Sequence, residues 1–499
     1  MLVDSRAKEL VDKSILEWIY EQDHTERLET YRINQNYYDG ETKIRFPDPA
    51  IEQKLKEHGY RANICKAVVD ASVGFLSKHP LAFEVEVDEG KEEAGKEIEK
   101  FIYNAFRDNR LMTGGFLKAL RIQGKKGEFA LKIWPEVEEE GGEVKGYKIT
   151  VLRPDICFPK WNDENYEELE CFPIVYPRNN PDTGRREMFA QVWWDDIVKE
   201  YVKPIGAKAP DVWRLVREWK NEYGFIPIVW VANKEDDGPW SEADITSDLK
   251  DIQDFINKTV TDLAYTQDSE SFRTGFILGA SPPLDPNTKK PIEIKHQPGN
   301  LHWVLGDGER IPQLGEFAGS DFKGFLDVLD KALELVSVIT RVPRNELSIG
   351  DTAGGGTPPS GRALEVLYQS FISKTDEKKA LLGEGLEVVA WRLVQMAWKD
   401  GYNFGEKARE EIDFSVTCHI QTGLPRDEEQ DAKTLAIHGE NLWKSKETIM
   451  NELGIEDVEK EKKKILDELR EYDVYGAGEF GRLDEELKAM GIDQPSPEL

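Results

Sequence analysis

The chain has 499 residues and a formal charge of −30 at pH 7, from 96 acidic against 66 basic side chains. A single hydrophobic core rarely spans such a length, so we expect about two to four domains. The charge argues against tight binding of nucleic acid, which comes from lysine and arginine displacing counterions from phosphates. It does not exclude a protein that surrounds DNA without holding it.

Membrane insertion and export are not predicted. No stretch approaches about 18 consecutive apolar residues, and residues 1–10 carry charges where a signal peptide needs an apolar centre. Four cysteines are scattered without a CxxC pair, which predicts buried thiols in a reducing compartment rather than a zinc site or a disulfide framework. They are Cys65, Cys157, Cys171 and Cys418.

The first half of the chain predicts an α+β body. Helical spacing of apolar residues occurs in residues 1–30, 63–76, 98–106 and 116–122. Residues 83–87 alternate apolar and acidic side chains, as a half-buried strand does, and residues 128–231 are mainly β in pattern.

Two long helices are predicted on either side of a β-rich excursion. Asp244 can cap the first and Asp321 the second. Each spans roughly 20 to 25 residues, on the order of 30 to 37 Å. About 50 residues separate them, far more than the usual helix connection of about 2 to 8, so the excursion is a module of its own. The apolar faces comprise Ile245, Leu249, Ile252, Phe255, Ile256, Val260 and Leu263 in the first helix, and Phe322, Phe325, Leu326, Leu329, Leu333, Val336 and Ile339 in the second.

A glycine- and proline-rich segment follows the second helix. Residues 344–360 contain three consecutive glycines and a Pro-Pro pair, which predicts no regular structure. A helix of nearly 40 residues comes next, with Gly383 and Gly385 marking a bend. The chain then continues with a strand at 414–420, a charged helical region and a polar tail.

No enzymatic motif is found. Gly354, Gly355 and Gly356 are not followed by the lysine and Ser/Thr of a phosphate-binding loop, and the histidines lack metal-ligand spacing. We therefore predict no catalytic, cofactor-binding or metal-binding residues. Two alternatives stay open, namely a cytoplasmic α+β enzyme whose carboxylate site is hidden among surface acids, and a monomeric adaptor that binds partners through its long helices.

Four stretches, taken together, resemble the portal proteins of tailed bacteriophages, the rings through which the genome enters and leaves the capsid. Their shared order covers about residues 30 to 470. They are Asn36-Tyr37-Tyr38-Asp39-Gly40 with residues 63–76; Tyr223-Gly224-Phe225-Ile226-Pro227-Ile228-Val229 with the helix that follows; Ser360-Gly361-Arg362-Ala363-Leu364; and Leu424-Pro425-Arg426-Asp427 with residues 445–469.

The resemblance implies a multidomain α+β portal fold with an α+β wing, a paired-helix stem, a small β-rich clip, a long wing helix and a C-terminal helical crown. On this chain the parts would be residues 1–243 for the N-terminal wing, 244–268 and 321–343 for the stem helices, 269–320 for the clip, 344–361 for the channel loop, 362–424 for the long wing helix and wing strand, 425–474 for the crown and 475–499 for a flexible tail.

The resemblance also implies a non-enzymatic function. Portal subunits form rings, usually of twelve copies, at one capsid vertex of the virion, after synthesis in the host bacterial cytoplasm. Double-stranded DNA passes through the ring during packaging and ejection. The implied partners are the terminase, head-to-tail connector or adaptor proteins, and the major capsid and scaffolding proteins, with no cofactor and no membrane.

Charge along the first long helix fits a DNA conduit. Residues 242–268 hold seven acids against Lys250 and Lys258, 2 − 7 = −5, and acidic walls let DNA slide because they capture no phosphates. A ring of such subunits repels itself, so basic groups at subunit contacts are expected to offset that repulsion. Candidates in the clip are Lys289, Lys290, Lys295 and Arg310, although these also fit solvated turns.

The channel loop is predicted to form a flexible steric collar around the duplex. Leu347 and Ile349 are candidate apolar contacts. The alternative is a passive connector outside the lumen. The predicted DNA-facing residues are Arg344, Asn345, Glu346, Leu347, Ser348, Ile349, Asp351, Thr352 and Thr357.

Overall fold

The computed structural model describes residues 15–42, 59–137, 144–162, 168–206, 212–235, 239–271, 275–278, 284–290, 301–304, 313–316, 322–347, 361–404, 412–421 and 462–465. The chain divides into two compact units, Met1–Pro358 with Glu365–Leu424, and Pro359–Leu364 with Pro425–Leu499. In the second unit, residues 361–364 and 462–465 are described, and both stretches are helical. The predicted crown therefore lies almost entirely outside the described residues, and the predicted tail lies wholly outside them.

The described helices of the first 126 residues are α1 (Gln22–Asp39), α2 (Ile64–Leu76), α3 (Glu92–Asp108) and α4 (Gly114–Lys126), and the predicted strand β1 (Ala82–Val87) lies between α2 and α3. The helices predicted at residues 63–76, 98–106 and 116–122 are confirmed. Of the helix predicted over residues 1–30, residues 1–14 lie outside the described residues, and the described part is interrupted by a turn at residues 19–21 and continues as α1 to Asp39. Gly40 ends α1 with φ 76°, a left-handed conformation that glycine adopts without strain. Asn63 caps α2, because its side chain accepts a hydrogen bond from the Lys66 N–H.

The mainly β segment forms two antiparallel sheets. Its strands are β2 (Glu128–Val137), β3 (Val144–Leu152), β4 (Lys160–Trp161), β5 (Leu169–Asn179), β6 (Arg186–Trp193), β7 (Ile197–Pro204), β8 (Arg214–Lys220) and β9 (Ile228–Ala232). One sheet has the order β3-β2-β9 and the other has the order β4-β5-β6-β7-β8.

The five-stranded sheet is packed on both faces. On one face, Val175, Ala190 and Val192 contact apolar side chains of residues 15–19. On the other, Phe172 and Trp193 pack against Ala130 and Ile228 of the three-stranded sheet. This burial explains why the β segment is rich in aromatic residues.

The two long helices and the β-rich excursion are present. Helix α5 (Ser247–Ser271) precedes the strands β10 (Gly275–Leu278), β11 (Leu301–Val304) and β12 (Gln313–Glu316), and α6 (Phe322–Thr340) follows them. The three strands form a sheet in which β10 pairs in parallel with β11 and antiparallel with β12.

A short helix, α7 (Arg344–Leu347), corrects the prediction that residues 344–360 lack regular structure. Pro343 precedes it, and the fixed φ of proline suits the first turn of a helix. The Glu346 N–H donates to the Pro343 carbonyl at 3.0 Å. Residues 348–360 lie outside the described residues.

The long helix α8 (Gly361–Lys399) packs against the sheets, and β13 (Phe414–His419) pairs with β1. Gly385 permits this packing, because a Cβ there would lie 2.7 Å from a methyl carbon of Val231. Arg392 donates to the carbonyls of Ile226 and Ile228 at 2.7 and 2.8 Å. The predicted α+β class is confirmed; the boundaries of wing, stem, clip and loop stay predictions.

Candidate functional site

The paired helices α5 and α6 pack against each other. A buried ionic cluster lies where α5 begins and α6 ends. Its centre is Asp244, which the sequence predicts as the cap of α5. That prediction is wrong, because α5 begins at Ser247 and the Thr246 hydroxyl accepts from the Leu249 N–H at 3.3 Å. Asp244 instead pairs with two lysines of α8.

Both ammonium groups of this cluster lie close to the Asp244 carboxylate. Lys378 Nζ donates to Asp244 Oδ2 at 2.5 Å, and Lys374 Nζ lies 3.2 Å from Oδ1. Burial alone would raise the pKa of the Asp244 carboxyl, but the two ammonium groups outweigh it and hold the pKa at about 2. Burial lowers the pKa of Lys378, against the opposing effect of Asp244. The three charges therefore depend on one another.

Lys374 also reaches the second helix of the pair. Its ammonium donates to the Thr340 carbonyl at 3.1 Å, at the C-terminal end of α6, where a positive charge is favourable. One side chain of α8 therefore contacts the C-terminal end of α6 and Asp244, which lies three residues before α5.

A second set of contacts fixes the middle of α5. Three uncharged polar side chains, Gln253, Asn257 and Thr261, are buried and spaced four residues apart. They accept from main-chain N–H groups of residues 60–64, which lead into α2: Gln253 from Ile64 at 2.7 Å, Asn257 from Ala62 at 3.0 Å, and Thr261 from Tyr60 at 3.1 Å. We call this set the polar ladder.

The polar ladder pairs every fourth residue of α5 with every second residue of segment 60–64. Four residues of an α-helix rise about 6 Å. The segment turns at Asn63, where the Ile64 N–H also donates to the Ala62 carbonyl at 3.0 Å. In addition, the Gln253 amide donates to the Ala62 carbonyl, and the Asn257 amide donates to the Thr42 hydroxyl.

Helix α6 has a different surface. One side, with Ala332, Val336 and Thr340, is buried. An adjacent side exposes four aliphatic residues to between 39% and 69%, and we call it the α6 stripe: Val328, Leu335, Val338 and Ile339. Leu326 is also exposed, so two residues of the helical face predicted from spacing, Leu326 and Ile339, are not covered by this chain. Amphipathic spacing locates apolar positions, but it does not say whether the same chain covers them.

The charge of α5 is negative, as the sequence predicts. Residues 247–271 contain six acids and two lysines, 2 − 6 = −4. Lys258 pairs with Asp262 at 2.5 Å, and Lys250 donates to the Asn34 side chain at 3.1 Å. Both lysines are therefore engaged within their own chain.

The predicted channel residues that the structure describes are held by neighbouring helices. Arg344 pairs with Asp330 of α6. The Tyr368 hydroxyl of α8 donates to Glu346 and accepts from the Asn345 amide at 3.4 Å. Leu347 is half-buried. Five predicted residues lie outside the described part of the chain, namely Ser348, Ile349, Asp351, Thr352 and Thr357.

Two of the four predicted clip contacts are described. Lys289 and Lys290 are exposed in a turn in which the Asp285 N–H donates to the Lys290 carbonyl and the Lys289 N–H donates to the Asp285 carbonyl, both at 2.9 Å. Lys295 and Arg310 lie outside the described residues. The role of all four in subunit contacts stays a prediction.

The cysteines are buried free thiols, as predicted. Burial raises the pKa of Cys65 and Cys418 to about 12. In the part of the chain that the structure describes, no three His, Cys, Asp or Glu residues are grouped to hold a metal ion. No helix within those ranges combines the length and the apolar composition needed to cross a membrane.

Comparison with known proteins gives one family. The family model described as "Phage portal protein, SPP1 Gp6-like" matches residues 18–475. No curated protein matches the chain. Among solved structures, "Neck of empty GTA particle computed with C6 symmetry" matches with 11% identity and a TM-score of 0.41, over 82% of this chain and 95% of that one. "Neck of native GTA particle computed with C12 symmetry" matches with 12% identity and a TM-score of 0.38, over 84% and 98%. Because the family model spans nearly the whole sequence, the chain belongs to the phage portal proteins of the SPP1 Gp6-like family.

Proposed function

We propose that this portal protein assembles into a closed ring at one vertex of the capsid of a tailed phage or prophage, and that double-stranded DNA is packaged and ejected through its bore. The observation that carries the ring is the α6 stripe. Its four aliphatic side chains are exposed in a single chain, beside a face that is already buried.

The α6 stripe has the character of a subunit contact. Contiguous exposed aliphatic groups on a helix mark surfaces that a protein partner covers. When each copy offers this stripe to a different surface of the next copy, the contact is heterologous and closes into a ring if the rotation permits. A neighbouring subunit in such a ring is the partner we propose for it.

The charge of α5 supports a bore that is lined by α5 helices and through which DNA passes. Its net charge of −4 and the engagement of both its lysines leave few groups that could capture phosphates. Repeated around a ring, such helices would form a wall along which DNA slides with little friction.

We propose a narrower role for the channel loop than the sequence suggests. Residues 344–346 serve as an anchor, because Asp330 and Tyr368 of the same chain engage them. The collar around DNA would then be formed by residues 348–357. Removing Gly354, Gly355 and Gly356 should reduce packaging or retention of DNA while the ring still assembles. Loss of the ring itself would contradict the collar.

The remaining roles follow from the family. We propose docking of the terminase during packaging and of head-to-tail connector proteins later, with capsid and scaffolding proteins around the ring. The chain would then need no catalytic activity of its own, because the terminase supplies the ATPase and the nuclease. Its place would be the portal vertex of the virion.

Assembly in solution tests the ring most directly. The purified chain should give a mass many times 57.1 kDa by native mass spectrometry, and a central hole in electron micrographs. A particle at the mass of one chain would favour the monomeric adaptor or a hidden enzyme.

Substitutions in the α6 stripe test whether it forms the contact between subunits. Leu335→Asp with Val338→Asp should abolish the ring and leave a folded monomer, because it places two charges in the proposed interface. Val137→Asp is the matched control, since Val137 is also exposed but ends a strand of the wing. If the double variant still forms rings, the α6 stripe is not the contact.

A further inference from the structure

Arg341 adopts a backbone conformation that a side chain disfavours and glycine does not. Its φ is 59°, in the left-handed region, and it directly follows α6, at the position where helices commonly end in glycine. Its neighbours Thr340 and Val342 are buried, and the Val342 N–H donates to the Thr340 hydroxyl at 3.3 Å, whereas Arg341 itself is exposed. Glycine would make the same turn without strain, so the turn alone does not account for an arginine here.

Arg341 lies where α5 begins and α6 ends, which we call the shared end of the helix pair. The Lys374 ammonium marks it, because it lies 3.2 Å from Asp244 Oδ1 and donates to the Thr340 carbonyl at 3.1 Å. Arg341 directly follows Thr340. Asp248, four residues after Asp244, is exposed in the first turn of α5. The shared end therefore carries an exposed cation after α6 and an exposed anion on α5.

Each of these charges adjoins an exposed apolar surface. Val338 and Ile339 of the α6 stripe lie three and two residues before Arg341 and are 69% and 39% exposed. Phe255 of α5 is 49% exposed and lies seven residues after Asp248, about two helical turns, so it is on nearly the same face. Both surfaces thus have a charged group at the shared end and apolar groups further along the helix. An apolar centre with a polar rim is the usual arrangement of a protein interface.

We propose that Arg341 pairs with Asp248 of the next copy in the ring, and that the face of α5 with Phe255 in that copy receives the α6 stripe. This inference rests on the ring proposed above and names the surface that the stripe contacts. Rotation about the ring axis leaves the height of every group along that axis unchanged, so groups at the shared end of one copy meet those of the next at the same height. The ion pair would also offset part of the repulsion between acidic subunits.

A DNA phosphate is a less suitable partner for Arg341. A ring of arginines facing the bore would capture phosphates and oppose sliding, which the acidic charge of α5 favours. DNA would also leave the neighbouring aliphatic groups of the α6 stripe in water. A second copy covers those groups and neutralises the guanidinium in one contact.

Mixing two charge-reversal variants tests the pairing. Arg341→Glu places two carboxylates at each contact and Asp248→Arg places two guanidinium groups there, so each variant alone should lose the ring in native mass spectrometry. An equimolar mixture should restore it, because alternating variants join opposite charges at every contact of a ring with an even number of copies. A pair within one chain would not be rescued by mixing, and absence of rescue would contradict the proposal.

The control for charge reversal is Arg107→Glu. Arg107 is an exposed arginine of α3 that pairs with Asp108 of its own chain at 3.0 Å. This variant should form rings as the wild type does, because the change lies outside the proposed contact.

Arg341→Gly separates the ion pair from the turn. Glycine adopts a φ of 59° without strain, so the dilute monomer should unfold at the same temperature as the wild type or at a higher one. Its rings should nevertheless dissociate more readily, by up to about fivefold per contact, because the ion pair is lost. Unchanged assembly of this variant would reduce Arg341 to a turn residue and overturn the pairing.

The outcomes distinguish this contact from the ring itself. If Arg341→Glu forms rings as the wild type does, the pairing is wrong and the ring stands. If those rings also bind less duplex DNA than wild-type rings, Arg341 faces the bore instead. A wild-type protein that forms no rings would refute both proposals.

Discussion

Helices α5 and α6 lie side by side, but α5 buries polar side chains whereas α6 exposes aliphatic ones. Helix α5 buries polar side chains, because Gln253, Asn257 and Thr261 bind the main chain of residues 60–64. Helix α6 exposes aliphatic ones, of which Val338 is 69% exposed. The first helix is therefore fixed to its own chain by directional hydrogen bonds, and the second leaves an aliphatic surface exposed.

In the ring proposed above, this contrast suggests different roles for the two helices. Hydrogen bonds and ion pairs specify one geometry, because their distances and angles are narrow. Aliphatic contacts tolerate small displacements, since burial of apolar area is non-directional. A subunit of this kind can hold α5 rigidly while its α6 contact adjusts to the neighbouring copy.

The largest effect on stability is expected from substitution of Asp244, just before the N-terminal end of α5. Asp244→Asn would leave Lys374 and Lys378 without the carboxylate that neutralises them in a buried site. Removing one partner of a buried ion pair costs about 3 to 5 kcal/mol, and we expect a loss in that range in chemical denaturation. Asp248→Asn, in the exposed first turn of α5, is the control and should change stability by less than about 0.5 kcal/mol. Equal effects of the two variants would show that the cluster is not structural.

The second-largest effect on stability is expected from a substitution in the polar ladder. Asn257→Ala should cost about 1 to 3 kcal/mol, because it leaves the Ala62 N–H without its acceptor and removes a donor to Thr42. Lys258→Ala is the control, since it removes only a partly exposed pair with Asp262 that is worth under about 0.5 kcal/mol. Amide exchange at Ala62 should accelerate in the first variant and not in the second. Unchanged exchange there would mean that α5 is held by other contacts.

Low pH should weaken the contribution that Asp244 makes to the stability of the fold. The folded pKa of Asp244 is about 2, below its usual 3.8, so its contribution is present above pH 3.8 and is lost as the pH falls through 2. The contribution amounts to about 2 kcal/mol. The stability difference between wild type and Asp244→Asn should therefore shrink between pH 4 and pH 2. A constant difference across that window would place the pKa of Asp244 near its ordinary value.

Local pattern predicts the helices, but long-range contacts decide their roles. The three-to-four spacing of apolar residues is a local property, so α5, α6 and α8 could be predicted from it. The cap predicted at Asp244 is wrong because its partners, Lys374 and Lys378, lie about 130 residues further along the chain. No spacing rule connects residues so far apart.

The polar ladder left one signal in the sequence. Gln253, Asn257 and Thr261 recur every four residues beside the apolar face of α5, and none of them is charged. Their partners are main-chain groups of residues 60–64, which carry no side-chain signature. The exposed aliphatic residues of α6 gave no signal either, because a subunit contact and an internal core have the same amphipathic spacing.

The smallest effect is expected on the exposed side of α6, and a matched pair of valines makes it measurable. Val336→Ala removes two methyl groups from a fully buried site and should cost about 1 to 3 kcal/mol. Val338→Ala removes the same atoms two positions later, from a side chain that is 69% exposed, and should change the stability of the dilute monomer by less than about 0.5 kcal/mol. In the assembled protein the order should change, since Val338→Ala would weaken association while the monomer stays folded. Denaturation at low concentration separates the two quantities from native mass spectrometry at high concentration. If Val338→Ala destabilises the monomer as much as Val336→Ala, then its own chain covers the α6 stripe, and no neighbouring copy is needed to explain it.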